Sequence, residues 1–331
     1  VLGAVIGLLT SLPLYFFFGQ KGIVPAIIVT SLTGLVLTWY YSSKVAVKKI
    51  EVTNNEVWQK GKSMLQLGFM LSLNSLITAG AAYLLRIYIS KNGSIEDVGL
   101  FNAGFAIINT YVGLVFTAMS TDYYPRLAAV AHNKAEWESA ICKQAEIAFL
   151  ILGPLLALFI VCAPWAVVLL YSKDFLAITP LIIWAALGVL FKAASWAIAF
   201  LFLAKGATRL FFFNELAVNI YMLALNIIGY EWMGLKGLGI SFMVAYILYL
   251  LQVIVLTKKI YGFEILTPTL KLFFQQLLLV VLCFLSVLFT QGILEYSLSI
   301  FFVAALLYLS VNHLQKQIDF TEIWKRFRKK N

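Results

Sequence analysis

Apolar stretches of about 20 residues recur ten times along this chain of 331 residues, and they restrict the solvent in which it can fold. An α-helix rises 1.5 Å per residue, so about 20 apolar residues cross a hydrocarbon layer about 30 Å thick. Only 12% of the residues are charged, too few to cover a soluble domain. The sequence therefore predicts an all-α polytopic membrane protein. Its ten transmembrane helices are expected at 1–18, 23–40, 64–89, 99–120, 146–170, 177–203, 211–230, 237–257, 272–290 and 296–313.

The lysines and arginines fall mainly into every second gap between these stretches. Nineteen of the 25 basic residues lie in such gaps or in the C-terminal tail, whereas the alternate gaps hold only Lys21, Lys91, Lys173 and Lys236. Because cytoplasmic loops carry the excess of Lys and Arg, the basic face and the C-terminus are predicted to be cytoplasmic. Basic loops beside anionic membrane lipids account for the net charge of +10, so no nucleic-acid partner is predicted.

A short glycine motif occurs twice with an offset of 215 residues. Gly19-Gln20-Lys21-Gly22 precedes the second apolar stretch, and Gly234-Leu235-Lys236-Gly237 precedes the eighth. Each motif follows an aromatic-rich stretch, and each following stretch ends in a basic segment. Six stretches separate the copies, so we predict a parallel repeat of six-helix lobes, as in transporters built from two related halves. The first two helices would then end an earlier lobe whose other helices precede residue 1.

Four further motifs have characteristic places on such a lobe. They are VGLFNA at 98–103, YPRLA at 124–128, AKGAT at 204–208 and GLKGLG at 234–239. In order and position they resemble the C-terminal lobe of the bacterial polysaccharide flippases (O-antigen translocase, Wzx type). These flippases belong to the multidrug/oligosaccharidyl-lipid/polysaccharide exporter superfamily. The resemblance covers about residues 1–265, and relative to the family the chain is N-terminally incomplete.

The resemblance implies two six-helix lobes around a central cavity, often with two further helices. Residues 1–62 would hold the last two helices of the N-terminal lobe and the inter-lobe loop. Residues 63–265 would form the C-terminal lobe, 266–313 the additional pair and 314–331 a cytoplasmic tail. The implied function is a flippase that moves a polyprenyl-diphosphate-linked oligosaccharide across the bacterial inner membrane by alternating access. Such a protein serves O-antigen and lipopolysaccharide biosynthesis beside a polysaccharide polymerase and glycosyltransferases.

Lys192 is the first candidate for substrate binding, because it lies near the middle of the sixth apolar stretch. A lysine at the bilayer centre costs about 2.5–3.5 kcal/mol on insertion scales. Either membrane surface is about ten residues or about 15 Å away, which makes snorkelling difficult. We therefore expect Lys192 to face a water-filled cavity and to meet an anion there. A carboxylate partner or hydrogen bonds to backbone carbonyls are the alternatives. Trp196, one turn away, is a candidate for stacking on a sugar.

Two helices carry polar stripes that predict further cavity residues. On the third stretch Asn74, Thr78, Ala82 and Arg86 are four residues apart and share one face. Snorkelling of Arg86 to the outer headgroups is the alternative there. On the fourth stretch Asn102 and Asn109 lie on a comparable face with small residues. Helix packing in bilayers also uses small and amide residues, so a packing role stays open for this stripe.

The remaining polar residues are expected to have structural roles. Asn214, Asn219 and Asn226 do not share one face and favour packing. Asp122 and Glu215 lie at cytoplasmic span ends, where a solvated or Arg-paired carboxylate is expected. Residues 132–143 have the pattern of an amphipathic interfacial helix. The tail has the pattern of a basic amphipathic helix on an anionic leaflet, with Trp324, Lys325, Arg326, Phe327 and Arg328 at the membrane surface.

Three functions compete on these features. A flippase needs a wet cavity with cationic groups for the diphosphate, which Lys192 and Arg86 would provide. A cation-coupled multidrug exporter needs a carboxylate inside the membrane, and no span offers one at depth. A membrane glycosyltransferase or polysaccharide polymerase needs acidic or arginine-rich outer loops, whereas the outer carboxylates are scattered. The sequence has no phosphate-binding loop, zinc motif or catalytic triad pattern, so we predict a transporter that needs no cofactor, metal or catalytic residue.

Overall fold

The computed structural model describes residues 2–44 and 53–317, and the regular structure in these ranges is helical. The ten α-helices are α1 Leu2–Phe18, α2 Ile23–Ser43, α3 Asn54–Asn92, α4 Ile95–Ile107, α5 Gly113–Ala129, α6 Lys134–Leu170, α7 Thr179–Ala204, α8 Thr208–Tyr261, α9 Thr267–Phe289 and α10 Ile293–Gln317. Within the described ranges, eight helical segments are long and apolar enough to cross a membrane. The prediction of an all-α polytopic membrane protein is confirmed.

The fourth predicted span consists of α4 and α5 joined end to end. A π-helical turn, Ile108–Val112, connects them without breaking the helical course of the chain. The N-terminus of α4 is capped by Ser94, whose Oγ accepts a hydrogen bond from the backbone N–H of Asp97 at 3.0 Å. A π-helical turn has i→i+5 hydrogen bonds and inserts an extra residue into the helix. It therefore changes which side chains face a neighbouring helix.

α8 contains the seventh and eighth predicted spans, which fold back on each other at Gly234. Gly234 has φ +58° and ψ −139°, a conformation that interrupts the helix and favours glycine. On either side the chain is in close contact with itself, because Ser241 Oγ donates to the backbone carbonyl of Leu225 at 2.7 Å. A Cβ at Gly237 would lie 1.8 Å from the carbonyl oxygen of Gly229. Residues 208–233 and 235–261 therefore form an antiparallel helical hairpin, which we call the α8 hairpin.

The turn between α1 and α2 has the same local geometry as the tip of the α8 hairpin. Gly19 has φ +52°, close to the +58° of Gly234. A Cβ at Gly22 would lie 2.2 Å from the carbonyl oxygen of Leu14, eight residues earlier, as Gly229 is eight residues before Gly237. The two glycine motifs thus build equivalent turns at the predicted offset. The assignment of these helices to two repeated lobes stays a prediction.

The chain divides into two units, residues 1–63 and 64–331. α1 and α2 pack against each other in the first unit. In the second, α7 lies between α6 and the α8 hairpin, while α9 and α10 pack on α6. Small residues allow this close packing: a Cβ at Gly188 would lie 2.9 Å from the Cα of Met243, and one at Gly239 would lie 2.3 Å from the Leu181 carbonyl oxygen. The boundary lies beside the one predicted after residue 62, and the domain assignment itself remains a prediction.

The prediction of a separate interfacial helix at residues 132–143 is wrong. α6 begins at Lys134, where Asn133 Oδ1 accepts a hydrogen bond from the N–H of Ala135, and continues without a break to Leu170. Trp137 and Ile141 are buried, and the ring of Trp137 lies 6.0 Å from that of Phe263. Because this apolar face packs into the protein core, the polar residues form the first turns of a spanning helix.

Candidate functional site

A cavity of about 560 Å³ lies between α3, α4 and the first half of the α8 hairpin. It falls within the range of about 300–1,000 Å³ that is typical of small-molecule sites. Apolar side chains form most of the wall, and polar groups from all three elements interrupt it. The polar lining residues are Thr78, Arg86, Asn102, Asn109, Asn219 and Asn226. Since none of the residues that line the cavity is acidic, its charge is positive.

Helical periodicity explains why these side chains converge. Thr78 and Arg86 are eight residues apart on α3 and therefore share a face. Asn102 lies on α4, and Asn109 lies in the π-helical turn that follows α4, at the point where the helical repeat changes. Of the sequence-predicted binding residues, the structure brings Thr78, Arg86, Asn102 and Asn109 together on one wall. Whether they bind substrate stays a prediction.

The guanidinium of Arg86 is held in place by a neighbouring carboxamide. Arg86 Nε donates a hydrogen bond to Asn102 Oδ1 at 2.8 Å, which joins α3 to α4. This bond uses one of five N–H donors, so the remaining donors are available to an anion in the cavity. Among the residues that the structure describes, no carboxylate forms an ion pair with Arg86. The arginine therefore lines a cavity wall, and its binding of an anion or its extension to the outer headgroups stays a prediction.

The carboxamide of Asn226 contributes an unpaired polar atom to this wall. Asn226 is only 7% exposed, and its Oδ1 has no hydrogen-bond partner in the protein. Buried polar atoms are normally satisfied, so an unpaired oxygen on a cavity wall marks a place for water or a ligand hydroxyl. Asn74 also has an unpaired Oδ1, but it does not line the cavity. A binding role for Asn74 stays a prediction.

Lys192 lies beside the cavity, in a pocket of aromatic rings. Its Nζ lies 5.5 Å from the ring centre of Phe116, 5.9 Å from that of Phe242 and 5.4 Å from that of Tyr246. These are cation–π distances. The ring of Phe105, which lines the cavity, packs 5.6 Å from Phe242. Lys192 is half-buried and does not itself line the cavity, so its contact with cavity water stays a prediction. Binding of an anion by Lys192 stays a prediction.

Trp196 packs in an aromatic cluster that shares Phe116 with the surroundings of Lys192. Its ring lies 4.5 Å from that of Phe200, 5.5 Å from Phe116 and 5.8 Å from Tyr123. Trp196 does not line the cavity, and its predicted stacking on a sugar remains a prediction. The five predicted membrane-surface residues of the tail, Trp324, Lys325, Arg326, Phe327 and Arg328, lie outside the described residues.

Sequence reasoning missed two of the cavity residues, Asn219 and Asn226. They were expected to mediate packing, but the structure places both on the cavity wall. Their separation of seven residues is two helical turns, so they do share a face, and that spacing was the available signal. Asn214 is five residues from Asn219 and points elsewhere. Its Nδ2 donates to the hydroxyl oxygen of Tyr249 at 3.3 Å.

The expectation for the two cytoplasmic-end carboxylates is right for one and wrong for the other. Asp122 pairs with Arg126 at 2.8 Å on the exposed surface, as predicted. Glu215 is half-buried and has no arginine partner in the described ranges: it accepts hydrogen bonds from the Tyr249 hydroxyl and from Asn214 Nδ2. Among the described residues no cation pairs with Glu215. The cause is the α8 hairpin, whose second half places Tyr249 opposite the carboxylate.

Comparison with known proteins gives one family and one similar fold. The model of a family described as "Polysaccharide biosynthesis protein" matches residues 1–180. A solved structure titled "Lipid II flippase MurJ, inward closed conformation" is similar, with a TM-score of 0.58 and 14% sequence identity. The match covers 96% of this chain and 67% of that chain. At this identity the likeness concerns the fold alone. No curated protein matches the chain in sequence.

Proposed function

The chain belongs to the polysaccharide biosynthesis protein family, and from that premise we propose that it is a flippase for a lipid-linked oligosaccharide. The substrate would be a polyprenyl-diphosphate-linked oligosaccharide, moved across the inner membrane by alternating access. The observation that carries this proposal is a cavity among membrane-spanning helices whose polar lining groups include an arginine and no acidic residue. A transporter needs such a cavity and needs no covalent step, so the protein is proposed to be a transporter and not an enzyme.

The chemistry of the cavity wall fits the headgroup of such a lipid. Phosphate groups and sugar hydroxyls are costly to place in hydrocarbon unless they are hydrogen-bonded. The guanidinium of Arg86 offers paired donors to phosphate or carboxylate oxygens. The carboxamides of Asn102, Asn109, Asn219 and Asn226 offer both donors and acceptors, as alternating hydroxyl groups require. The polyprenyl tail would remain among lipid chains while the headgroup passes the cavity.

The cellular setting is part of the same proposal. The basic gaps of the sequence favour a multi-pass protein of the bacterial inner membrane with its C-terminus in the cytoplasm. Lipid-linked oligosaccharides are made by glycosyltransferases and consumed by polymerases, so these enzymes are the proposed partners in O-antigen or other polysaccharide synthesis. Anionic lipids would contact the basic cytoplasmic loops and the tail.

One observation favours the second candidate, a cation-coupled multidrug exporter. Glu215 is a carboxylate within a spanning helix, bonded to Tyr249 and Asn214 and without a cationic partner in the described residues. Such a group is what exchange of a proton or sodium ion requires. The cavity argues for the flippase, because a lone arginine facing four carboxamides suits an anionic, hydroxyl-rich headgroup and repels the cationic drugs typical of such exporters.

The test uses the transporter reconstituted in liposomes with a fluorescent polyprenyl-diphosphate oligosaccharide, whose arrival in the opposite leaflet is measured by an impermeant quencher. Arg86→Ala removes the charge and the bond to Asn102, and transport is expected to fall at least about tenfold, since a charge-assisted bond contributes about 1.5–3 kcal/mol. Arg86→Lys keeps the charge and should retain part of the activity.

The matched control is Arg126→Ala, which removes an exposed arginine that does not line the cavity. It should transport at the parental rate. Normal transport by Arg86→Ala would contradict the proposed role of the cavity. Transport of a cationic dye in place of the oligosaccharide would instead identify the second candidate.

A further inference from the structure

Two tyrosine–carboxylate hydrogen bonds tie the tip of the α8 hairpin to α3 and α4. Tyr88 of α3 donates its hydroxyl to Glu231 Oε1, and Tyr230 of the hairpin donates its hydroxyl to Asp97 Oδ2 at 2.8 Å. The neighbouring residues Tyr230 and Glu231 thus bond in opposite senses, one as donor and one as acceptor. The partners are 133 and 143 residues apart in the chain, so no short loop holds them together.

These bonds lie just beyond the cavity on each of the helices that line it. Tyr88 comes two residues after Arg86, and Tyr230 comes four residues, or about 6 Å along the helix, after Asn226. Asp97 comes five residues before Asn102. α3 and the first half of the hairpin run toward the predicted outer face, and α4 starts there. Tyr88, Asp97 and Tyr230 therefore lie on the outer side of the cavity. The three helices that enclose it are joined at that end.

The turn between α3 and α4 leaves room for one of the phenols. A Cβ at Gly93 would lie 1.8 Å from Tyr230 Oη and 2.9 Å from Asp97 Oδ2. Only glycine therefore admits this bond without displacing the hydroxyl. Tyr230 itself is 9% exposed. The tip of the hairpin is inserted against the turn, and the absence of a side chain at Gly93 permits it.

Neither carboxylate has a competing cation. Over residues 2–44 and 53–317, Asp97 and Glu231 form no ion pair with lysine or arginine. A bond from a neutral phenol to a carboxylate is charge-assisted, and it breaks without leaving an unpaired buried cation. The 18-residue spanning window of α3 has no buried residue, whereas Leu85 and Ile89 near its outer end are buried in the hydrophobic core beside Tyr88. The described contacts of α3 are therefore concentrated at its outer end, where the tyrosine bonds lie.

We infer that Tyr88–Glu231 and Tyr230–Asp97 form an outer latch, which closes the cavity toward the outer leaflet until α3 and α4 separate from the tip of the α8 hairpin. The proposed function gives the latch its purpose, the control of headgroup release. The closure itself is a property of the cavity and does not depend on which substrate the cavity carries. The latch residues are positioning residues, since none of them lines the cavity.

Thiol accessibility measures the latch without using a substrate. Ala106 lines the cavity, and Ala106→Cys serves as the reporter for an impermeant maleimide added outside right-side-out vesicles. The native Cys142 and Cys283 are buried and Cys162 is half-buried, so protein without the reporter gives the background. Removing both phenol hydroxyls, Tyr88→Phe with Tyr230→Phe, is expected to raise the labelling rate at least about tenfold, since each lost bond involves a charged acceptor.

Two further variants make the result decisive. Gly93→Ala leaves all four latch residues in place but displaces the Tyr230 hydroxyl, and it should also accelerate labelling. Tyr83→Phe removes an exposed phenol from the same helix and should leave the rate unchanged. If the double variant does not accumulate in the membrane, the labelling rate of Gly93→Ala tests the latch in its place. Labelling within twofold of the parent in the latch variants would overturn the latch. Accelerated labelling in these variants, together with a parent protein that transports no lipid-linked glycan, would leave the latch standing and would count against the proposed function.

Discussion

Replacement of Lys192 separates a structural role of this lysine from a role in transport. The structure assigns the ammonium three aromatic neighbours, at 5.4–5.9 Å, and no carboxylate among the described residues. Cation–π contacts contribute about 1 kcal/mol each, so the three rings contribute about 3 kcal/mol. The cost of a lysine at mid-bilayer depth is about 2.5–3.5 kcal/mol. These terms nearly cancel, and the lysine is therefore close to neutral for stability.

Lys192→Met keeps an unbranched side chain that is only one atom shorter, and it removes the charge. We expect its free energy of unfolding, measured by thermal unfolding in detergent, to change by less than about 1 kcal/mol. The reason is that the desolvation cost and the favourable ring contacts are lost together. Lys192→Ala should likewise fold and accumulate. Both should impair transport of the lipid-linked oligosaccharide, whereas Lys192→Arg should retain part of it because the charge survives.

Lys205 offers the matched comparison. Its ammonium also lies over two rings, 5.2 Å from that of Trp137 and 5.8 Å from that of Tyr261, but it donates a hydrogen bond to the carbonyl oxygen of Ala131 as well. Lys205→Met should lower stability by about 1–2 kcal/mol and leave transport per folded molecule unchanged. Normal transport by Lys192→Met would refute the binding role of Lys192. A stability loss as large as that of Lys205→Met would show that Lys192 is structural.

The remaining predictions concern the turn at Gly234, the carboxylate of Glu215 and the topology. Gly237→Ala forces a Cβ to within 1.8 Å of a backbone oxygen and should lower the free energy of unfolding by at least about 2–3 kcal/mol. In the control Gly80→Ala the added Cβ meets open space, so this variant should not be destabilised. Equal melting temperatures of the two variants would contradict the hairpin geometry. Glu215→Gln keeps an acceptor for Tyr249, so the fold should persist while any dependence of transport on a proton or sodium gradient is lost, as gradient-driven flux assays would measure. A cysteine at Ser94 should react with impermeant reagents only from outside the cell, and labelling only from the cytoplasm would reverse the proposed topology.

The spans were predictable because their signal is local. About 20 apolar residues define a crossing, and the distribution of Lys and Arg defines its direction. The glycine motifs were also sufficient to predict both turns, since positive φ and close backbone contact restrict those positions to glycine. The start of α6 was not predictable from composition. Trp137 and Ile141 look like one face of a surface helix until Phe263, more than 100 residues later, packs against it.

The candidate site was only partly predictable, and for a related reason. The polar stripes of α3 and α4 are visible in the sequence, as is the seven-residue spacing of Asn219 and Asn226. The rings around Lys192 come from two other helices: Phe116 lies on α5, whereas Phe242 and Tyr246 lie on α8. The periodicity of α7, the helix that carries Lys192, does not indicate which rings surround this lysine. The direction in which a membrane lysine points depends on which side chains surround it in space. The sequence alone does not give the distances to those side chains.

The register of the α8 hairpin connects most of these features. The contacts between Leu225 and Ser241, Gly229 and Gly237, and Glu215 and Tyr249 are all centred on residue 232 or 233. Close backbone approach at the two glycines fixes that register, because a shift by one residue would bring a Cβ into the contact. The same register turns Asn219 and Asn226 toward the cavity and brings the tip of the hairpin to Asp97. A glycine-specified turn therefore positions the cavity wall, the Glu215 carboxylate and the outer latch together, and its loss should affect all three at once.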